Sequence, residues 1–203
     1  HRRQRQMCIR DRLIIYFKIA DLTGNPKAKA YNIGRKQWKE ILIGLHKDKS
    51  TYWIHAASHG EGLMAIPLIE KFLEKKECQI VISFFSPSGY NNFKYTHKNL
   101  FKIFLPIDTI KNAKKIIKII QPKHLVFVKY DLWMNLIIES QKNDIPISIF
   151  SAKFHQKQWY FNPFSNWAKK SLQNISNILT IDKESKDFLN SKKFKNVIYC
   201  GDT

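Results

Sequence analysis

Acidic residues are scarce in this sequence. Only 16 of its 203 residues are Asp or Glu, against 35 Lys or Arg, which gives a formal net charge of +19. Such an imbalance argues against a cationic partner and points to an anionic one: nucleic acid, an acidic membrane surface or a phosphorylated substrate. Cysteine is scarce too. Cys8, Cys78 and Cys200 are far apart and form no CxxC pair, so neither a zinc site nor a disulfide framework is supported, and a reducing compartment fits. Long apolar runs are missing as well. The longest early stretch, "LIIYFKIADL" at 13–22, falls well short of the roughly 20 residues that span a bilayer. It reads either as the remnant of a longer apolar helix or as a short helix packed on the domain.

The leader "HRRQRQMCIRDR" has no periodicity and no cap. It resembles the translated sequencing-adapter read-through found at the ends of assembled metagenomic genes, and is set aside from fold reasoning. It holds five arginines and one aspartate, so the remainder still carries +15. The following segment, 13–50, reads as helical and basic.

Hydrophobic residues make up 44% of the chain, enough for a core. "YWIHAAS" (52–58) reads as a strand and Leu63 to Lys75 as a helix, with Pro67 confined to its first turn or kinking it. "QIVISFF" (79–85) is a near-continuous apolar run of the kind found in parallel sheets. "SPSG" turns the chain, and "FKIFLP" (101–106) is a third strand. Thr109 to Gln121 is amphipathic, with Asp108 or Thr109 as its cap and Pro122 as its stop. Strands follow at 124–129, 145–152, 178–181 and 197–200, with helices at 132–142 and 183–191. Strands alternating with helices predict an α/β domain over 51–203, a Rossmann-like parallel sheet with flanking helices.

In such sheets ligands gather at the carboxyl ends of the strands. These ends read "SHGEG", "SPSG", "PID" and "KYDLW". "GEGLMA" (60–65) fits the dinucleotide fingerprint. Yet Glu61 stands where a phosphate would approach, and no Asp or Glu ends the second strand to hold a ribose. A serine-hydrolase reading fails because Ser58 lacks the G-x-S-x-G elbow. The remaining reading makes Glu61 the working group, a carboxylate in the first turn of a helix that could act as general base. A glutamate there can equally just complement the helix dipole.

Several motifs then share one likeness. "HAASHGEG", "AIPLIEKF", "ISFFSPSGYNNFK", "LPIDTIKNAKK", "VFVKYDLWMNLI", "IPISIFSAKF" and "VIYCGDT" resemble, in order and spacing, the N-terminal half of 3-deoxy-D-manno-oct-2-ulosonic acid (Kdo) transferases. "KAKAYNIGRKQW" (27–38) resembles the family's basic stretch before the first strand, and the likeness extends from about Lys18 onward. It implies the N-terminal half of a GT-B glycosyltransferase that moves Kdo from CMP-Kdo to lipid A precursor. That reaction is inverting, metal-independent and without cofactor, and takes place at the cytoplasmic face of the inner membrane. Glu61 is then the catalytic base. Ser58, His59, Gly60, Arg35, Lys36, Ser86, Ser88 and Gly89 are implied on the acceptor side. Lys129 and Asp131 fall on a family E-x-E-L-W motif, where Lys129 replaces the first carboxylate. His59 replaces a residue that is usually small and apolar.

The resemblance also implies that a CMP-Kdo-binding domain is absent here and that this chain alone lacks transfer activity. The expected partners are lipid A precursor and an anionic inner-membrane surface; nucleic acid has only charge in its favour. The aromatic stretch "FHQKQWYFNPFSNW" (154–167) fits either an interfacial contact or core packing. The competing reading is a binding-only Rossmann-like module for an anionic lipid or nucleotide.

Overall fold

The computed structural model describes residues 26–129 and 131–201. The leader at 1–12, the apolar run at 13–22 and the side chains of Lys27 and Lys29 lie outside the described residues. So do Tyr130 of "KYDLW" and the last two residues of "VIYCGDT".

The chain opens with helix α1 (Pro26–Leu42), followed by β1 (Ser50–Ala56), α2 (His59–Leu73), β2 (Cys78–Phe84) and the short α3 (Pro87–Asn92). Next come β3 (Leu100–Phe104), α4 (Ile110–Ile120), β4 (His124–Val128), α5 (Met134–Lys142) and β5 (Ile147–Ala152). Two 3-10 turns, Trp159–Phe161 and Pro163–Ser165, lead into α6 (Asn166–Gln173), β6 (Asn177–Thr180), α7 (Lys183–Ser191) and β7 (Val197–Tyr199). The strands form one sheet in the order β3-β2-β1-β4-β5-β6-β7, and every pairing is parallel. This is the expected Rossmann-like α/β fold, a parallel sheet with flanking helices.

The order reverses between β1 and β4. Right-handed crossovers running one way place their helices on one face; those running the other way use the opposite face. Accordingly α2 packs with Ile54, Ile80, Ile82, Phe84 and Val126 on one side. The helices α1, α4, α5, α6 and α7 cover Trp53, Val81, Phe127 and Ile149 on the other. β2 is buried at all seven positions, which explains its near-continuous apolar run. β5 alternates over its first four residues, because α5 covers one face while Ser148 bonds His124 and Asn177 on the other.

Three local readings change. α2 begins at His59, so "HGEG" is its first turn and Pro67 stands mid-helix. There it removes one i→i−4 bond, on a face that is exposed to water. Thr109 caps α4 by accepting from Asn112 N–H at 3.2 Å. Asp108 instead caps α5, accepting from Asn135 N–H and Leu136 N–H, both at 3.1 Å. Thus Asp108 of "PID" joins the entrances of two helices. The aromatic stretch divides: Phe154 and Tyr160 are buried, whereas Phe164 and Trp167 face outward. Among the described residues no helix is long and apolar enough to cross a membrane.

Candidate active site

The reversal between β1 and β4 opens a crevice at the carboxyl edge, the place where doubly wound sheets bind ligands. α2 leaves β1 on one side of it, and the chain after β4 leaves on the other. Ser58 is the N-cap residue of α2 in extended conformation, but its hydroxyl makes no capping bond. His59, Gly60 and Glu61 are therefore the first three helical residues. Glu61 reaches back and accepts the Ala57 N–H at 2.6 Å, much as the third residue of a capping box does.

Burial raises the Glu61 pKa above the usual carboxylate value. The Ala57 N–H and the Lys129 ammonium oppose that rise, as a protonated His55 ring would, while the Asp131 carboxylate adds to it. Glu61, His55, Lys129 and Asp131 thus form one electrostatic cluster spanning the crevice. Lys129 follows β4 in a left-handed conformation with φ 63°, uncommon for a side chain other than glycine or asparagine. Its N–H still bonds Phe150 O at 2.8 Å. The turn it makes carries the chain off the sheet to Asp131, whose Oδ2 accepts the Trp133 indole N–H at 3.1 Å.

The residues expected on the acceptor side, Lys36 apart, meet at the same edge. Ser86 N–H bonds Ala57 O at 2.9 Å, which fixes the turn after β2 beside the turn after β1. Ser86 caps α3 through Gly89 N–H at 3.0 Å and lies 3.2 Å from the Ser88 hydroxyl. A Cβ on Gly89 would come within 3.1 Å of the Ser58 carbonyl carbon, so its smallness seats α3 against α2. Arg35 reaches in from α1, with its guanidinium 4.8 Å over the Phe85 ring and Nη2 donating to Phe85 O at 3.5 Å. Lys36 is exposed on the same helix, and Gly60 is open, since a Cβ added there would meet no atom within 4 Å. His59 is half-buried and its Nδ1 has no partner among the described residues.

Sequence reasoning gives no role to the buried polar chain beneath the site. His55 Nδ1 and Trp53 Nε1 both lie 2.9 Å from Ser83 Oγ. The available signal is strand alternation. Trp53 and His55 share one face of β1, and Ser83 pairs with His55 across the ladder.

Over residues 35–203 the sequence matches the family described as 3-deoxy-D-manno-octulosonic-acid transferase (kdotransferase). It is 34% identical over 116 residues to a bifunctional glycosyltransferase/methyltransferase of Fusobacterium nucleatum, covering 56% of this chain and 18% of that protein. Against the 3-deoxy-D-manno-octulosonic acid transferase of Haemophilus influenzae it is 32% identical, covering 50% of this chain and 24% of that one. Against the Chlamydophila psittaci enzyme of the same name it is 26% identical, covering 65% and 34%. The chain therefore matches about a fifth to a third of the length of these relatives. Among solved structures, UDP-GlcNAc 2-epimerase from Neisseria meningitidis aligns with TM-score 0.55 at 11% identity, covering 73% of this chain and 46% of that one. UDP-N-acetylglucosamine 2-epimerase from Rickettsia bellii gives TM-score 0.55 at 12% identity, covering 75% and 45%. At such identities these two likenesses concern the fold alone. With the family match spanning most of its length, the chain belongs to the 3-deoxy-D-manno-octulosonic-acid transferase family.

Proposed function

We propose that this chain forms the acceptor-side half of a glycosyltransferase that moves Kdo from CMP-Kdo to lipid A precursor, with Glu61 as general base. The observation that carries this reading is the placement of Glu61. It stands in the first turn of α2, at the crevice where the strand order reverses, half-buried and held by the Ala57 N–H. Burial raises its pKa, and a base whose pKa moves toward the working pH takes a proton more effectively in the transition state. In the proposed step the acceptor hydroxyl oxygen bonds to the anomeric carbon of Kdo. The bond from that carbon to the CMP phosphate oxygen breaks, and the hydroxyl proton passes to Glu61. CMP leaves as the anion. No step needs a metal.

The acceptor is assigned to the edge formed by Ser58, His59, Gly60, Ser86, Ser88 and Gly89, with Arg35 and Lys36 supplying positive charge for its phosphates. The donor is assigned mainly to a second domain beyond this chain. The proposed location is the cytoplasmic face of the inner membrane. The charge of +15 that remains without the leader supports it, since basic residues near an anionic surface contribute about 1 kcal/mol each. Co-flotation with anionic vesicles, lost at high salt, is expected; salt-independent or absent binding would remove the membrane assignment.

The deciding experiment compares wild type and Glu61→Gln in the enzyme that carries both domains. Transfer of Kdo to lipid A precursor should fall on the order of 10²–10⁴-fold while acceptor binding persists. Undiminished turnover would refute Glu61 as the base. Binding without turnover in the wild-type enzyme would favour a binding-only module.

A further inference from the structure

His55 is 1% exposed on β1, six residues before Glu61, with its Nε2 3.8 Å from Asp131 Oδ2. Its ring is walled edge-on by Phe127 at 5.8 Å and by Trp133 at 5.9 Å between centroids. Ser83 Oγ lies 2.9 Å from His55 Nδ1 and 2.9 Å from Trp53 Nε1. An indole N–H can only donate, so Ser83 Oγ is the acceptor in that bond and must place its own proton elsewhere. Ser83 is fully buried, and His55 Nδ1 is the acceptor it meets. With Nδ1 accepting, a neutral imidazole carries its hydrogen on Nε2. Nε2 has no hydrogen-bond partner among the described residues and lies 3.8 Å from Asp131 Oδ2. That separation is an electrostatic contact too long for a hydrogen bond. The same oxygen already accepts the Trp133 indole N–H.

We propose that His55 is a positioning residue of this centre: the Trp53–Ser83 pair fixes its tautomer so that Nε2–H is presented to Asp131, and His55 and Trp133 together hold that carboxylate on the rim across from Glu61. The catalytic consequence rests on the transferase reading above, but the placement of the proton does not. A histidine kept only for packing would have no reason to turn a buried N–H toward the crevice.

Ring-nitrogen NMR of the 15N-histidine-labelled chain reads the tautomer directly. For His55 the expected pattern is an unprotonated Nδ1 and a protonated Nε2. Ser83→Ala should dissolve that preference, and Asp131→Asn should shift the Nε2 signal while leaving the tautomer unchanged. A protonated Nδ1 in the wild type would overturn the proposal, as would an Nε2 signal indifferent to Asp131→Asn. In the two-domain enzyme, His55→Gln keeps a donor near the Nε2 position, whereas His55→Asn keeps one only near Nδ1. Transfer by the Gln variant should exceed that by the Asn variant at least tenfold; equal losses would mark His55 as packing only. If Glu61→Gln retained full transfer, the transferase reading would fall while the NMR result still decided where the proton lies.

Discussion

The Glu61 carboxylate accepts the Ala57 backbone N–H at 2.6 Å, four residues back along the chain. This bond favours the ionised form, yet burial outweighs it and the pKa is raised. A carboxylate whose folded pKa lies above its unfolded value binds its proton more tightly in the folded state. Its stabilising contribution is complete below the unfolded pKa near 4.5 and is lost as pH rises through the folded value. Glu61→Gln should therefore stabilise the fold at neutral pH and leave it nearly unchanged in acid, below the unfolded pKa. Thermal unfolding at two pH values checks this. About 1 kcal/mol moves Tm by roughly 2–4 °C at this size, and partial exposure of the group keeps the gain toward the lower end.

Lys129 lowers the Glu61 pKa and Asp131 raises it. Lys129→Met removes the favourable charge, so Glu61 should hold its proton to higher pH. In the two-domain transferase proposed above, the acidic limb of the pH–rate profile should move upward, with the plateau rate at high pH little changed. An unmoved limb would mean that the ammonium does not act on the base. A collapse at every pH would give Lys129 a direct role in transfer.

Gly60 and Gly62 look alike in the sequence but differ in their surroundings. A Cβ on Gly62 would lie 2.7 Å from the Phe84 ring and 3.0 Å from that of Phe93, whereas a Cβ on Gly60 would meet nothing. Gly62→Ala should destabilise by about 1–3 kcal/mol through overpacking. Gly60→Ala should stabilise by up to about 1 kcal/mol, since alanine is the better helix former. Urea titration separates the two signs. If Gly60→Ala stabilises yet weakens acceptor binding, the open space above Gly60 is where the acceptor approaches the backbone.

Much of this architecture is legible in the sequence because its signals are local. Ala113, Ile116, Ile117 and Ile120 share the buried face of α4 at helical spacing, while Ile110 and Ile119 are exposed. The near-continuous apolar run of β2 announces a strand covered on both sides. "HGEG" misleads, because two glycines within four residues read as a turn; here they occupy the first turn of α2, where one permits close packing and the other leaves open space. α3 reads only as a turn, since six residues are too few for a visible period. The role of His55 is hidden for another reason. Its partners Ser83 and Asp131 come from other segments of the chain, and no spacing within one segment encodes a contact between three.

Asp108 shows the same limit, and it can be tested without any substrate. Its carboxylate accepts two N–H groups at the start of α5, and its backbone carbonyl accepts the Asn135 side-chain amide at 2.7 Å. These bonds tie the entrance of α4 to that of α5, directly behind the loop bearing Asp131. Removing a cap costs about 0.5–2 kcal/mol. Asp108→Ala should fall at the upper end of that range, because it strands two helical N–H groups at once, whereas Thr109→Ala strands one. Denaturant unfolding should thus rank Asp108→Ala as the more damaging of two adjacent substitutions. The reverse ranking would mean that α5 draws its N-terminal order from packing against α4 and not from its cap. Asp108→Asn offers a control: its amide oxygen still accepts one N–H, so its loss should fall between wild type and Asp108→Ala.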